Sequence, residues 1–356
     1  MIDCDSHVLE PPDLWKNYLE KPFVDRAIRV EEVDGVEQLI IGEQVVLAGV
    51  LAGLGGAHRN KAELFTPGNR YMDGCPPPSY DPDARIRQMD EWGVAKTLVF
   101  PTICILPFPT EDQALANAYC RAYNNWMIDF SAGRQDRIWP VAVLNWHDVD
   151  AAADELERCI KAGAKALFVP PETISHKRPG DVHFDRLWSI CQDADLPACL
   201  HVVVRFSGSA VSFAAWHETS PGPIFGFGMG ATGQLIPALA SMVTDGLFER
   251  FPRLKVVSVE AGCGFAPYLM DRLDAKYEVF EGLVPLKEKP SEYIKRNCYF
   301  VAEPLERTTQ MALDLVGEDR ILWGSDYPHI DGLADVSVRP EGWELLSKNA
   351  DTVFDR

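Results

Sequence analysis

The segment Ile2-Asp3-Cys4-Asp5-Ser6-His7 opens the chain, and its pattern is typical of a short buried strand that ends in metal-ligand side chains. Residues i and i+2 of a strand project to the same face, so Asp5 and His7 are expected to point the same way. An Asp-x-His triplet occurs by chance in many long chains. Its meaning therefore depends on what the rest of the chain brings to the same place.

Seven further apolar segments follow, and a segment of helical pattern precedes each of them. They span residues 97–100, 138–144, 166–169, 198–203, 255–260, 298–301 and 321–324. Strands that are buried on both faces and alternate with helices indicate a parallel sheet, and eight such units predict an α/β fold of the (β/α)8 TIM barrel type. A doubly wound open sheet is the alternative that this pattern leaves open.

An insertion separates the first two predicted barrel strands. Polar and apolar residues alternate over 28–48 on both sides of Asp34-Gly35, which is a strong hairpin signal. The Gly- and Pro-rich residues 49–80 are expected to form a long surface loop. We therefore predict one distorted barrel domain over residues 1–356, with a small β-hairpin insertion within 28–80.

Composition excludes several classes of partner. The formal charge of −19 would repel a phosphate backbone, which argues against nucleic acid. No apolar stretch is long enough to span a membrane, and the N-terminus lacks the pattern of a secretory signal. The nine cysteines include no CxxC pair and are typical of reduced thiols. We expect a cytoplasmic homodimer that acts on a small molecule.

Polar residues follow several of the predicted strands, at the end of a barrel where chemistry collects. These residues are Asp5 and His7 on the first strand, His201 on the fifth, Glu260 on the sixth, Glu303 on the seventh and Asp326 on the eighth. Taken singly, His201 is better explained as a core histidine and Asp326 as a helix cap. Two histidines and two aspartates at one rim nevertheless match the ligands of a divalent cation.

The chain resembles the amidohydrolase-related family, in the branch that contains aminocarboxymuconate semialdehyde decarboxylase and the aromatic-acid decarboxylases. The resemblance rests on residues 2–7, His201, Phe-Pro-Arg-Leu-Lys-Val-Val at 251–257, Glu-Ala-Gly at 260–262 and, most specifically, Gly-Ser-Asp-Tyr-Pro-His-Ile-Asp-Gly at 324–332. It implies metal ligands at Asp5, His7, His201 and Asp326. The fourth strand ends without the lysine of dinuclear members, so one cation is expected, either zinc or manganese.

Glu260 departs from the pattern of the decarboxylases, which carry a histidine at the end of the sixth strand. A glutamate there would repel an arene carboxylate unless Arg205 or a proton compensated it. We therefore expect hydrolysis of a small cyclic or aromatic amide, ester or lactone by metal-activated water, with Asp326 as the general base and Glu260 as a second acid or base.

Two alternatives to hydrolysis stay open. One is a metal-dependent, non-oxidative decarboxylase of an aromatic or unsaturated carboxylic acid. The other is a barrel that binds metal or ligand without catalysis, which is disfavoured because four protein ligands leave positions for water. A panel of hydroxybenzoates and aryl amides would separate the two reactions.

Further residues are candidates for the site. His329 is a candidate catalytic group, and substrate contacts are predicted for Arg205, Trp216, His217, Phe227 and Glu303. Residues 206–233 are expected to form a loop over the barrel mouth. The segment Gly228–Gly233 fits GxGxxG, but no strand precedes it, so dinucleotide binding is not indicated.

Overall fold

The structure is a computed structural model that describes residues 1–49, 51–64, 68–105, 110–172, 174–203 and 223–355. Its strands are β1 (Ile2–His7), β2 (Arg29–Val33), β3 (Val36–Ile41), β4 (Gln44–Ala48), β5 (Lys96–Phe100), β6 (Ile138–Ala142), β7 (Ala166–Val169), β8 (Ala198–His201), β9 (Val256–Val259), β10 (Cys298–Ala302) and β11 (Ile321–Trp323). Eight parallel strands form one sheet in the order β1-β5-β6-β7-β8-β9-β10-β11. This order confirms the predicted (β/α)8 fold class.

Helices alternate with these strands as the sequence predicts. They are α1 (Leu14–Tyr18), α2 (Lys61–Leu64), α3 (Pro82–Trp92), α4 (Gln113–Ser131), α5 (Val149–Lys161), α6 (Asp185–Asp193), α7 (Pro223–Thr244), α8 (Leu247–Arg250), α9 (Phe265–Phe280), α10 (Pro290–Asn297), α11 (Thr309–Leu315) and α12 (Trp343–Phe354). Among the described residues, none of these helices combines the length and apolar character needed to cross a membrane.

The limits of helix α3 show how local sequence positions an element. The Asp81 carboxylate accepts hydrogen bonds from the first N–H groups of the helix, and Pro82 occupies the first helical position. Gly93 ends the helix in the left-handed conformation, at φ 66°. The next residues enter β5, whose last four residues are buried.

Two compact units make up the chain. The first consists of Met1, Asp3–Ala164 and Ser325–Arg339, and the second of Ile2, Lys165–Gly324 and Pro340–Arg356. The first unit contains β5 and β6 in parallel register, and the second contains β7 to β11. The prediction of one domain over 1–356 stays a prediction.

Several of the barrel strands are buried along their whole length. All four residues of β7 and all four of β9 are buried, so neither strand shows polar alternation. Strands covered on both faces are typical of parallel sheets, because crossover helices lie against them.

The predicted hairpin is confirmed, and it carries a third strand. Strands β2 and β3 pair around Asp34 and Gly35, which both have positive φ, as the favoured two-residue hairpin turn requires. Strand β4 then pairs with β3 to complete a small antiparallel sheet.

The expectation of a surface loop over 49–80 is wrong for much of that segment. Leu51, Leu64 and Tyr71 are each only 1 % exposed. The Tyr71 hydroxyl donates to the carbonyl oxygen of Glu10. Glycine and proline mark turns but do not determine exposure, so composition alone could not distinguish this packed segment from an open loop.

The loop predicted over 206–233 needs correction in its second part, and residues 206–222 lie outside the described residues. Residues 223–233 belong to α7, so the GxGxxG segment is helical. The buried side chains of Leu235, Leu239 and Met242 hold this helix against its unit. Packing of an apolar face outweighs the weak intrinsic helix propensity of glycine.

Candidate metal centre

The imidazole of His7, at the end of β1, is held in one orientation. Its Nδ1 lies 2.7 Å from the carbonyl oxygen of Pro101. Because a carbonyl only accepts hydrogen bonds, Nδ1 must carry a proton, and in the neutral ring Nε2 then presents its lone pair. That lone pair faces two carboxylates, with Asp5 Oδ1 at 3.2 Å and Asp326 Oδ1 at 3.4 Å.

This convergence of electron-rich atoms needs a proton or a cation between them. All three side chains are almost completely buried, so water cannot screen their repulsion. A proton on His7 Nε2 or on either carboxylate, or a bound cation, would relieve that repulsion. A neutral histidine whose remote N–H donates to a backbone carbonyl is the usual form of a metal-ligating histidine, and the residues therefore fit a divalent cation.

Backbone hydrogen bonds bring Asp326 to β1 from more than 300 residues away in sequence. Its N–H donates to the carbonyl oxygen of Asp5 at 2.8 Å, and the His7 N–H donates to Tyr327 at 2.7 Å. Asp326 has a φ of 52°, in the left-handed region that aspartate tolerates better than most residues. The segment after β11 is thus fixed against the ligand strand, and the carboxylate of Asp326 faces His7.

Asp3 holds Ser325, the residue before Asp326, in place. Its carboxylate accepts hydrogen bonds from the Ser325 N–H at 2.9 Å and the Ser325 hydroxyl at 2.6 Å. Burial raises the pKa of Asp3 to about 7. The residue before Asp326 is therefore held by its backbone and its side chain at once.

His329 joins this group through the turn that follows Asp326. Its Nδ1 lies 2.7 Å from Asp326 Oδ1, and its Nε2 lies 2.9 Å from Thr102 Oγ1. The ring centroid lies 3.8 Å from that of His7. One ligand-type atom from each of His7, Asp326 and His329 lies within 4.8 Å of the others.

The second unit places His201 and Glu260 side by side. His201 ends β8, is fully buried, and has its Nδ1 3.0 Å from the carbonyl oxygen of Val202. Its Nε2 lies 3.4 Å from Glu260 Oε2. Nδ1 of His201 therefore carries a proton, because the carbonyl oxygen can only accept a hydrogen bond. Glu260 directly follows β9 and, like Asp326, lies in the left-handed region, with a φ of 59°.

The structure tests the predicted substrate residues only in part. Arg205, Trp216 and His217 lie outside the described residues, and Phe227 lies in α7. Glu303 follows β10 in the second unit, where its N–H donates to Glu306. Substrate contact therefore stays a prediction for all five.

Three residues near the first group were missed by sequence reasoning. Glu10 is fully buried and accepts backbone N–H bonds from the turn after β5. Arg85 donates to the Ser6 hydroxyl at 2.7 Å and to the His7 carbonyl oxygen. Thr102 contacts His329, as described above. Nothing in the sequence distinguishes these residues from ordinary polar residues of a loop or a helix surface.

Comparison with known proteins identifies the family to which the chain belongs. The sequence profile of a family described as Amidohydrolase matches residues 2–346. The chain belongs to this amidohydrolase family. It is therefore an enzyme of the amidohydrolase superfamily, and its described residues include a candidate set of metal ligands.

Three proteins illustrate its relatives. A gamma-resorcylate decarboxylase from Polaromonas sp. (strain JS666 / ATCC BAA-500) is 28% identical over 265 residues, covering 71% of this chain and 79% of that protein. An amidohydrolase from Mycobacterium avium subsp. paratuberculosis K-10 has a TM-score of 0.81 at 24% identity, over 99% of this chain and 97% of that one.

The third is a dihydroxybenzoic acid decarboxylase from Polaromonas sp. JS666, solved with bound manganese and the inhibitor 2-nitroresorcinol. Its TM-score is 0.66 at 19% identity, over 99% of this chain and 96% of that one. At these identities the two solved structures support the barrel fold of this chain, and they do not by themselves assign its reaction.

The expectation of a hydrolase is wrong. The curated relatives matched by sequence are named as decarboxylases, which agrees with the alternative reading. The error came from treating Glu260 as an uncompensated carboxylate that repels an anionic substrate. That expectation rested on a single residue, whereas the decarboxylase relative described above matches 71% of the chain.

Proposed function

We propose that the chain is a metal-dependent, non-oxidative decarboxylase of a hydroxylated aromatic carboxylic acid. One divalent cation would be held by Asp5, His7, His201 and Asp326. The observation that carries the proposal is the orientation of His7, whose Nε2 faces two carboxylate oxygens while Pro101 holds the opposite nitrogen. The named relatives supply the reaction class.

Manganese is the cation we propose. Two of the four ligands are carboxylates, a harder set than the all-histidine or cysteine-containing sites that favour zinc. The related decarboxylase from Polaromonas was solved with manganese, which supports the same choice.

The reaction exchanges a carboxylate for a proton. An arene carboxylate and one proton give the arene and carbon dioxide, so the enzyme must deliver a proton to the ring carbon as the carbon–carbon bond breaks. The cation, when bound, would supply positive charge for the carboxylate and the neighbouring hydroxyl oxygen of the substrate. Side chains of the protein would carry out every proton transfer.

The pair formed by His329 and Asp326 is the proposed source of that proton. Their Nδ1 and Oδ1 atoms are 2.7 Å apart, the distance of a strong hydrogen bond, so a proton must lie between them. Both side chains are nearly buried, and a proton held there is shielded from bulk water. We propose Asp326 as the group that transfers it and His329 as its partner.

Glu260 would then act on the phenolic part of the substrate. A carboxylate is an acceptor of hydrogen bonds, so it suits a hydroxyl group of the arene better than the departing carboxylate. We propose that Glu260 orients the ring through such a hydroxyl and holds its proton during the reaction. Arg205, Trp216, His217, Phe227 and Glu303 remain the proposed contacts to the rest of the substrate.

The proposed decarboxylation is tested by measuring the release of carbon dioxide. Protein loaded with Mn²⁺ would be incubated with 2,6-dihydroxybenzoate, 5-carboxyvanillate and further 2-hydroxybenzoates, with chromatography of the arene and detection of the gas. We expect stoichiometric arene and carbon dioxide from at least one compound, and none from benzoate, which lacks the hydroxyl. A fully metal-loaded protein that leaves every compound intact would contradict the proposal.

The cellular compartment and the oligomeric state of the enzyme are secondary proposals. All nine cysteines are buried and none is in a disulfide bond, which supports a reducing compartment and hence a cytoplasmic enzyme. A homodimer stays a prediction, for which sedimentation of the purified protein is the measurement.

A further inference from the structure

The hydroxyl of Thr102 makes two hydrogen bonds at the edge of the first unit's cluster. Its Oγ1 lies 2.7 Å from the carbonyl oxygen of Val8 and 2.9 Å from Nε2 of His329. A hydroxyl has one proton, and the carbonyl of Val8 can only accept it. The oxygen of Thr102 is then left to accept the Nε2–H of His329.

We propose that Thr102 is a positioning residue for His329, an inference that rests on the proposed function. An imidazole can rotate about the bond that joins it to the Cβ atom, and Asp326 holds only one of its two nitrogens. The bond from Nε2–H to Thr102 holds the other. With both nitrogens fixed, Nδ1 faces Asp326 Oδ1 and the proton between them stays in place.

Thr102 can do this because its own backbone is fixed. Its N–H lies 3.2 Å from both carboxylate oxygens of Glu10, and the next two N–H groups, of Ile103 and Cys104, also donate to Glu10. Thr102 is 5 % exposed and Glu10 is not exposed at all. The buried carboxylate therefore holds the turn after β5, and that turn holds the hydroxyl.

Loss of the Thr102 hydroxyl should lower kcat and leave KM unchanged. The two hydrogen bonds of the Thr102 hydroxyl go to Val8 and His329, and neither residue is a proposed ligand of the cation. Removing the hydroxyl should leave substrate binding and metal binding intact and slow the proton transfer, because the His329–Asp326 pair would spend less time in the productive geometry.

Two variants of similar size isolate the hydroxyl. Thr102→Val keeps the shape and removes the hydrogen bonds, whereas Thr102→Ser keeps the hydroxyl and removes a methyl group. We expect kcat to fall about 10- to 100-fold in Thr102→Val, as for other residues that orient a functional histidine. KM and manganese content should stay within about twofold of wild type, and Thr102→Ser should retain most of kcat.

A second measurement does not depend on turnover. Histidine labelled with ¹⁵N in the metal-free protein gives ring resonances that report tautomer and hydrogen bonding, and those of His329 are assigned by their loss in His329→Gln. We expect these resonances to shift in Thr102→Val and to stay near their wild-type positions in Thr102→Ser. If the valine variant does not fold, Thr102→Ala takes its place in both measurements.

The two measurements separate the two ideas. A wild-type protein that decarboxylates nothing would sink the proposed function, while the ring resonances would still decide the role of Thr102. Wild-type kcat together with unchanged His329 resonances in Thr102→Val would overturn the inference. Equal losses in the valine and serine variants would also overturn it, because packing of the methyl group would then be the cause.

Discussion

The Nδ1 atom of His7 lies 2.7 Å from the carbonyl oxygen of Pro101. This single contact joins the end of β1 to the residue after β5 and determines which nitrogen of His7 faces Asp5 and Asp326. Because proline lacks a backbone N–H, the segment offers the ring an acceptor at this position and no competing donor. The carbonyl group of the residue after β5 therefore orients the His7 ring for metal binding before any cation is present.

Replacing Asp326 by asparagine should abolish turnover without disrupting the fold. The amide keeps the size of the side chain but cannot hold a transferable proton or a full negative charge, so we expect kcat for carbon dioxide release to fall about 10³-fold. The far-ultraviolet circular dichroism should be unchanged. Asp335→Asn, at an exposed position of the same segment, is the matched control. Full activity in Asp326→Asn would remove this residue from catalysis.

Removing the cation should remove activity reversibly. Dialysis against a chelator should eliminate turnover, and one equivalent of Mn²⁺ per chain should restore it, because the charge of Asp5 and Asp326 cannot be offset by His7 alone while a substrate anion is bound. Elemental analysis before and after dialysis measures occupancy. Chelated protein that works at the original rate with no detectable metal would refute the role of the cation.

Alanine at Gly332 should displace Asp326. A Cβ atom at this position would lie 2.2 Å from the carbonyl oxygen of Asp326 and 2.6 Å from its carbonyl carbon, so the backbone must move. We expect at least a ~10-fold loss of manganese affinity by calorimetry and a stability loss of about 1–3 kcal/mol, as for other overpacked sites.

Gly230→Ala is the control for that substitution. The added Cβ meets no atom within 4 Å there, and the residue lies inside α7. Alanine should therefore be neutral or slightly stabilising, by up to about 1 kcal/mol. Equal manganese affinity in the two variants would show that the close approach of Gly332 does not position Asp326.

Glu10 should make stability fall as pH rises towards neutrality. Burial raises its pKa from an ordinary value of 4.5 to about 7, so between these values the folded chain keeps a proton that the unfolded chain has released. The folded state therefore loses stability as pH increases through this window. Glu10→Gln does not titrate and should gain about 2 kcal/mol relative to wild type between pH 5 and pH 8.

Urea unfolding followed by tryptophan fluorescence measures that difference. Glutamine should also lower stability by a constant amount at every pH, because its amide nitrogen cannot accept the backbone N–H bonds that both Glu10 oxygens accept. The change between pH 5 and pH 8 therefore reports the titration. Parallel stability curves from pH 5 to pH 8 would show that Glu10 is ionised in the folded protein throughout this range.

Much of the fold was predictable because its signals are local. Each barrel strand is a short apolar segment between helical segments, and Asp34-Gly35 marks the hairpin by itself. Residues 223–233 were predicted wrongly for the opposite reason. Their glycines argue for a loop, and only the packing of the apolar residues that follow makes them part of α7.

The candidate site was predictable where residue type and strand position coincide, as for Asp5, His7 and Asp326. Glu10 and Thr102 could not be found in this way. Their importance lies in which hydrogen bonds they make across about 90 residues of sequence, and many glutamates and threonines of the chain have the same local surroundings. Hydrogen-bond partners so distant in sequence have no periodic signal.

The amino-acid sequence alone determined the order of strands and helices and the identity of the ligand-type side chains, because apolar periodicity and residue chemistry are properties of short segments. Only the tertiary structure decided which nitrogen of each histidine faces a carboxylate, which residues hold Asp326 and His329 in place, and how far Glu260 stands from His201. Those properties depend on distances of a few ångströms between segments far apart in the chain, and such distances exist only after folding.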